Sequence, residues 1–178
     1  MSLEKFRVKY ISTKSQILEL DLIVAISLFI IAFFLLYTYN TDIVNPEKDA
    51  MDLLIYDGRL ISDQLVSAGY PLNWSDDPDN VIYIGLTDGN KRIMGEKLSG
   101  ANGLGYSTTR NIFGITSDFY VFFLDKDNPY SINGISGFGK PGITQDNIMQ
   151  IENPEHLIKL ERLLFYYSKV IKMEVYVW

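Results

Sequence analysis

Residues 22 to 39 read LIVAISLFIIAFFLLYTY, without a charge, a proline or a glycine. The uncharged run continues to Thr41 and ends at Asp42. At about 1.5 Å per residue, about 20 helical residues cover about 30 Å, the hydrocarbon thickness of a bilayer. A helix satisfies its backbone polar groups internally and so tolerates lipid. Tyr37 and Tyr39 fall at the outer end, where amphipathic rings favour the headgroup layer. Two other readings fit an apolar block: a helix buried in a soluble core, and a cleaved secretory signal. An apolar face all round is rare in a small soluble domain. A secretory signal has a shorter core, followed by small residues at the cut. The exit through Tyr37, Thr38, Tyr39 and Asn40 lacks them, so the span is read as retained.

Flanking charge orients the span. Lys5, Arg7, Lys9 and Lys14 precede it, whereas Asp42, Glu47, Lys48, Asp49 and Asp52 follow. Basic flanks stay cytoplasmic, so the N-terminus is expected inside and the larger domain outside. The chain divides into a basic cytoplasmic leader (1–15), a transmembrane helix with its acidic entry (16–41) and an extracytoplasmic domain (42–178). Glu19 and Asp21 stand at the entry, either marking the headgroup edge or pairing with a positive group when helices bundle.

A net charge of -6 argues against a nucleic-acid partner, and the absence of cysteine excludes disulfide scaffolds and thiol chemistry. The outer domain must then hold together by its core alone. Asn45-Pro46 suits a helix start, and Glu47 to Ala68 has helical spacing, with Met51, Leu54, Ile55, Ile61, Leu65 and Val66 on one face before Gly69. Val81 to Leu86 reads as a strand, Asp88-Gly89-Asn90 as a turn, and Ser107 to Phe113 as a short helix closed by Gly114. Ser117 to Leu124 is a second strand, and the glycine-rich 130–143 stretch an irregular hairpin or surface loop. Leu157–Tyr166 and Lys169–Trp178 form a half-buried antiparallel hairpin, because Ile171, Met173, Val175 and Val177 alternate with Lys172, Glu174 and Tyr176. The expected fold class is α+β: an N-terminal transmembrane helix running into an amphipathic helix that packs on an antiparallel sheet.

Few residues suggest chemistry. Gly134 to Lys140 fits half of a phosphate loop, but Pro141 stands where a hydroxyl is needed. Asp76, Asp77 and Asp79, and then Asp125 and Asp127, gather oxygen ligands without a calcium-loop spacing, and turn chemistry explains them equally well. His156 is the only histidine and no nucleophile signature accompanies it. No enzyme activity and no cofactor is called for. Asn73-Trp74-Ser75 is an N-x-S sequon, making Asn73 a glycosylation candidate.

The basic leader ending in Lys14-Ser15-Gln16, followed by Ile17 to Asp21 and the apolar helix, resembles the class III signal of archaeal type IV pilin-like proteins. The run GYPLNWSDDPDNVIYI from Gly69 and the closing IKMEVYVW are similar to membrane-anchored domains of that group. The resemblance implies cleavage by a prepilin-type peptidase between Ser15 and Gln16. It also implies self-association through the N-terminal helix, with Glu19 or Asp21 pairing with a neighbour's new amine. The family's acid at the fifth mature position is replaced by Leu20. The expected role is a pilin or minor pilin in the cell membrane or a surface filament. The alternative is an anchored external module that binds a surface partner, glycan or cation, with Trp74 and Tyr70 as its aromatic patch.

Overall fold

The computed structural model describes residues 20–39, 46–151 and 156–178. The chain forms two units, Met1–Pro46 and Glu47–Trp178. The first contains helix α1, Leu20–Tyr39.

In the second unit, α2 (Pro46–Val66) opens the domain. Leu54, Ile61 and Leu65 are buried on it, as the spacing requires, and Asp57 and Ser62 are buried with them. These positions recur at three and four residues, the stripe of a helix with one dry face. Helix α3 is Gly95–Gly103 and α4 is Tyr106–Phe113. Gly114 closes α4 in the left-handed conformation at φ 70°. Helix α3 forms although it carries three glycines in nine residues. Its glycines are tolerated because tertiary packing overrides propensity: at Gly100 an added Cβ would lie 3.1 Å from the Trp74 ring.

The strands are β1 (Phe119–Asp125), β2 (Asn128–Pro129), β3 (Gly137–Gly139), β4 (Ile158–Tyr166) and β5 (Lys169–Val177). Their order is β2-β1-β5-β4, with β3 also pairing β1, and every ladder is antiparallel. The expected β4–β5 hairpin is present with Tyr166 opposite Lys169. On one sheet face Val121, Phe123, Leu164, Ile171, Met173 and Val175 join Leu54, Ile61 and Leu65 of α2 in the main core. The structure therefore shows an α+β domain, a helix against an antiparallel sheet.

Two expectations are corrected. Val81 to Leu86 forms no strand; Tyr83 makes one isolated bridge, to Tyr70. Leu86 N–H instead donates to the Leu65 carbonyl at 2.9 Å. Gly85 lies so close to the 67–69 backbone that a Cβ there would come within 2.6 Å of the Ala68 carbonyl carbon. The segment is thus spent on the end of α2 and has no neighbour strand to join. The hairpin is also more covered than its alternation suggests. Phe122, Leu124, Ile148 and Tyr176 form a second buried cluster, flanked by Ile143, Ile151, Leu157 and Trp178. The 143–151 loop closes that side, which a period of two cannot reveal.

Candidate functional site

Helix α1 is 20 residues long, its most apolar window has a mean hydropathy of 2.6, and none of that window is buried. Leu28, Phe29, Ile30, Phe33 and Phe34 are all more than half exposed. Ser27 Oγ donates to the Ile23 carbonyl at 2.8 Å and Thr38 Oγ1 to that of Leu35 at 3.0 Å. Both hydroxyls are satisfied inside the helix, which is what a hydrocarbon environment demands. The helix is long and apolar enough to cross a membrane. Asp21 is helical and exposed. Ser15, Gln16 and Glu19 lie outside the described residues.

The sequence-derived positions in the domain are scattered. Asn73 is exposed just before a single 3-10 turn, Trp74–Asp76, and its side chain makes no capping bond. Trp74 itself is fully buried, and its Nε1 donates to the Gly85 carbonyl at 3.1 Å. That corrects the aromatic patch: Tyr70 is 58% exposed, while Trp74 belongs to the core. Asp76, Asp77 and Asp79 are exposed, and Asp77 accepts from Asn80 Nδ2 at 2.7 Å. Asp125 pairs with Lys169 at 2.9 Å and Asp127 with Lys172 at 3.0 Å. Among the described residues no group of three or more His, Cys, Asp or Glu side chains is arranged to hold a metal. In the glycine-rich segment Lys140 is bound to Asp118 at 2.5 Å.

Two charge centres escaped sequence reasoning, because each joins residues distant in the chain. Glu174 is 3% exposed, yet it lies 2.8 Å from Lys159 and 3.2 Å from Lys172, and it accepts from the Tyr176 hydroxyl at 3.0 Å. Burial pushes its carboxyl up, but these bonds outweigh burial and hold it below the ordinary range. Asp118 accepts from Lys140 and Tyr106, with Arg110 at 3.7 Å. Burial raises its carboxyl too, and the same partners bring it down. Burial and then Asp118 raise the Tyr106 hydroxyl well above its usual value. Both carboxylates are saturated with donors, which suits cross-bracing. Deeper still, Ser117 Oγ donates to the buried Asp57 at 2.6 Å, tying α2 to the start of β1. The Lys97 amine donates to the Ala68 and Thr87 carbonyls at 2.6 and 3.1 Å, holding α3 to the loop after α2.

One cleft stands apart from these braces. It encloses about 540 Å³ between the 88–96 segment, Asn133 and the β4–β5 turn. Asp88, Arg92 and Glu96 line one side, Tyr166 and Tyr167 the other. The 91–93 strand-like segment is fixed there by Ile93 N–H to the Phe165 carbonyl and Phe165 N–H to that of Lys91, both 2.8 Å.

No family model, curated protein or solved structure matches this chain.

Proposed function

We propose that the chain is a single-pass, membrane-anchored structural subunit of pilin-like type, its α+β domain lying outside the cytoplasm. The observation that carries this reading is α1, a 20-residue apolar helix with no partner burying its most apolar window. A helix of that kind is stable only in lipid or against other apolar helices. The basic residues before it and the acidic ones after it support the orientation. The Lys14-Ser15-Gln16 junction supports processing by a prepilin-type peptidase, and Asp21 or Glu19 would then offer the carboxylate to a neighbour's amine. Packing α1 helices together would bury their apolar surface and leave the domains as an outer shell.

N-terminal sequencing of protein extracted from native membranes tests the proposal. A chain beginning at Gln16 is expected. An intact Met1 would remove the subunit reading and leave only a membrane anchor.

A second reading, an anchored binding module, is favoured by the exposed apolar side chains Tyr70, Leu72, Ile82 and Tyr83, each more than half accessible. Tyr70 and Tyr83 are bridged neighbours, so part of this surface is contiguous. It requires a monomer or small oligomer in the membrane, with its leader retained.

A further inference from the structure

We propose that the cleft between the 88–96 segment and the β4–β5 turn is a binding site for a neutral saccharide, with Tyr167 as its stacking platform. The proposal goes beyond the subunit role and does not depend on it. Tyr167 is 89% exposed, in the two-residue turn that joins Tyr166 to Lys169. Tyr166 meets it edge to face at 4.6 Å between ring centroids, so the pair forms an aromatic corner. An exposed tyrosine propped by a second ring loses little entropy on binding and presents an apolar face with a polar rim.

The remaining lining supplies mixed hydrogen-bonding capacity. Asn133 accepts from the Tyr166 hydroxyl at 3.4 Å through Oδ1, which leaves its amide nitrogen available as a donor. The Glu96 carboxylate has no hydrogen-bond or ion-pair partner among the described residues. Asp88 spends Oδ1 on the Asn90 and Arg92 backbone N–H groups at 2.7 and 3.3 Å, which fixes the carboxylate in place. Arg92 adds guanidinium donors on the same wall. Asn133 and Tyr167 sit at φ 52° and 50°, two of four non-glycine residues in the left-handed region among those described. Such conformations persist where surrounding structure holds them, and they concentrate at ligand sites.

The lining selects the ligand class. Asp88 and Glu96 repel an anion, and the Arg92 guanidinium offsets one of the two carboxylates and so weakens the pull on a cation. A purely apolar ligand would cover the Glu96 carboxylate and the Arg92 guanidinium without offering either a partner. A sugar ring offers an apolar C–H face to Tyr167 and hydroxyls that both donate and accept, matching carboxylate, amide and guanidinium together.

Saturation-transfer NMR on the full chain in a detergent without a sugar headgroup tests this, using maltose, cellobiose, lactose, chitobiose and mannobiose as probes. Transfer to at least one disaccharide at about 1–10 mM is expected, strongest at the protons of one ring face. Tyr167→Ala should weaken that binding by about tenfold. Because the side chain is exposed, its removal opens no cavity, and an unchanged melting temperature verifies the fold. Glu96→Gln should weaken binding by a smaller factor. The proposal is overturned if no probe binds, if Tyr167→Ala binds as well as the parent, or if tetramethylammonium or inorganic phosphate displaces the sugar. None of these outcomes alters the N-terminal sequencing result.

Discussion

Helices α1 and α2 are nearly equal in length, 20 and 21 residues, but they are covered in opposite ways. Along α2 the buried positions form one stripe, with Leu54, Ile61 and Leu65 dry and Leu53 and Tyr56 about half exposed or more. Along α1 apolar side chains point in every direction and none in its most apolar window is covered. The difference shows where each helix draws its stability. The first depends on what surrounds the protein, and the second on what the rest of the chain folds around it.

Substitutions of the same kind should separate the two. Leu65→Ala removes a fully buried side chain from the core of the domain, and should cost about 2–5 kcal/mol in denaturant unfolding. Leu28→Ala, in α1, should leave that unfolding curve unmoved; a matching loss would mean α1 packs into a soluble core. Ile30→Arg puts a charge near the centre of α1, at a cost to insertion of about 3 kcal/mol. Membrane flotation should show the variant shifting towards the aqueous fraction, with the domain's melting unchanged.

The charge braces sharpen the contrast, since among the described residues they lie in the domain. The Glu174 carboxyl lies below its unfolded value, so it stabilises the fold above about pH 4.3 and loses that contribution as pH falls through its native value. Asp118 acts with the same sign. Acid unfolding should therefore set in below about pH 4. Glu174→Gln should flatten that dependence and cost about 2 kcal/mol at pH 7, a figure reduced because Lys159 is 38% and Lys172 20% exposed. Ser117→Ala leaves Asp57 buried without its hydroxyl donor and should cost about 1–3 kcal/mol in the same assay. Smallest of all, Tyr56→Ala on the outer side of α2 should change stability by less than about 0.5 kcal/mol.

Periodicity made much of this legible. The apolar block, the α2 stripe, α4 with Gly114 and the β4–β5 hairpin are all local patterns, each dictated by residues within a turn or two. Val81–Leu86 misled because its apolar character serves packing against the end of α2, and Gly85 is needed there for a backbone approach no local rule anticipates. Trp74 was visible as the aromatic at the centre of a sequon, but its burial depends on Gly85 and Gly100, which are 11 and 26 positions away in the numbering. The Glu174 and Asp118 centres and the Tyr166–Tyr167 cleft join side chains from separate elements. Only Tyr167 and Ser168, the residues between two alternating runs, hinted at an exposed turn there.

Across the terminal hairpin Glu161 stands directly opposite Glu174, an arrangement that would drive the strands apart. Lys159 reaches both, at 2.7 and 2.8 Å, and its amine also lies 5.8 Å from the Tyr176 ring. One ammonium group thus acts as a register key. Sliding the strands would carry Lys159 and Glu161 together along β4 and away from Glu174 on β5, and acylating that amine would turn the same cross-strand pair from a clasp into a wedge.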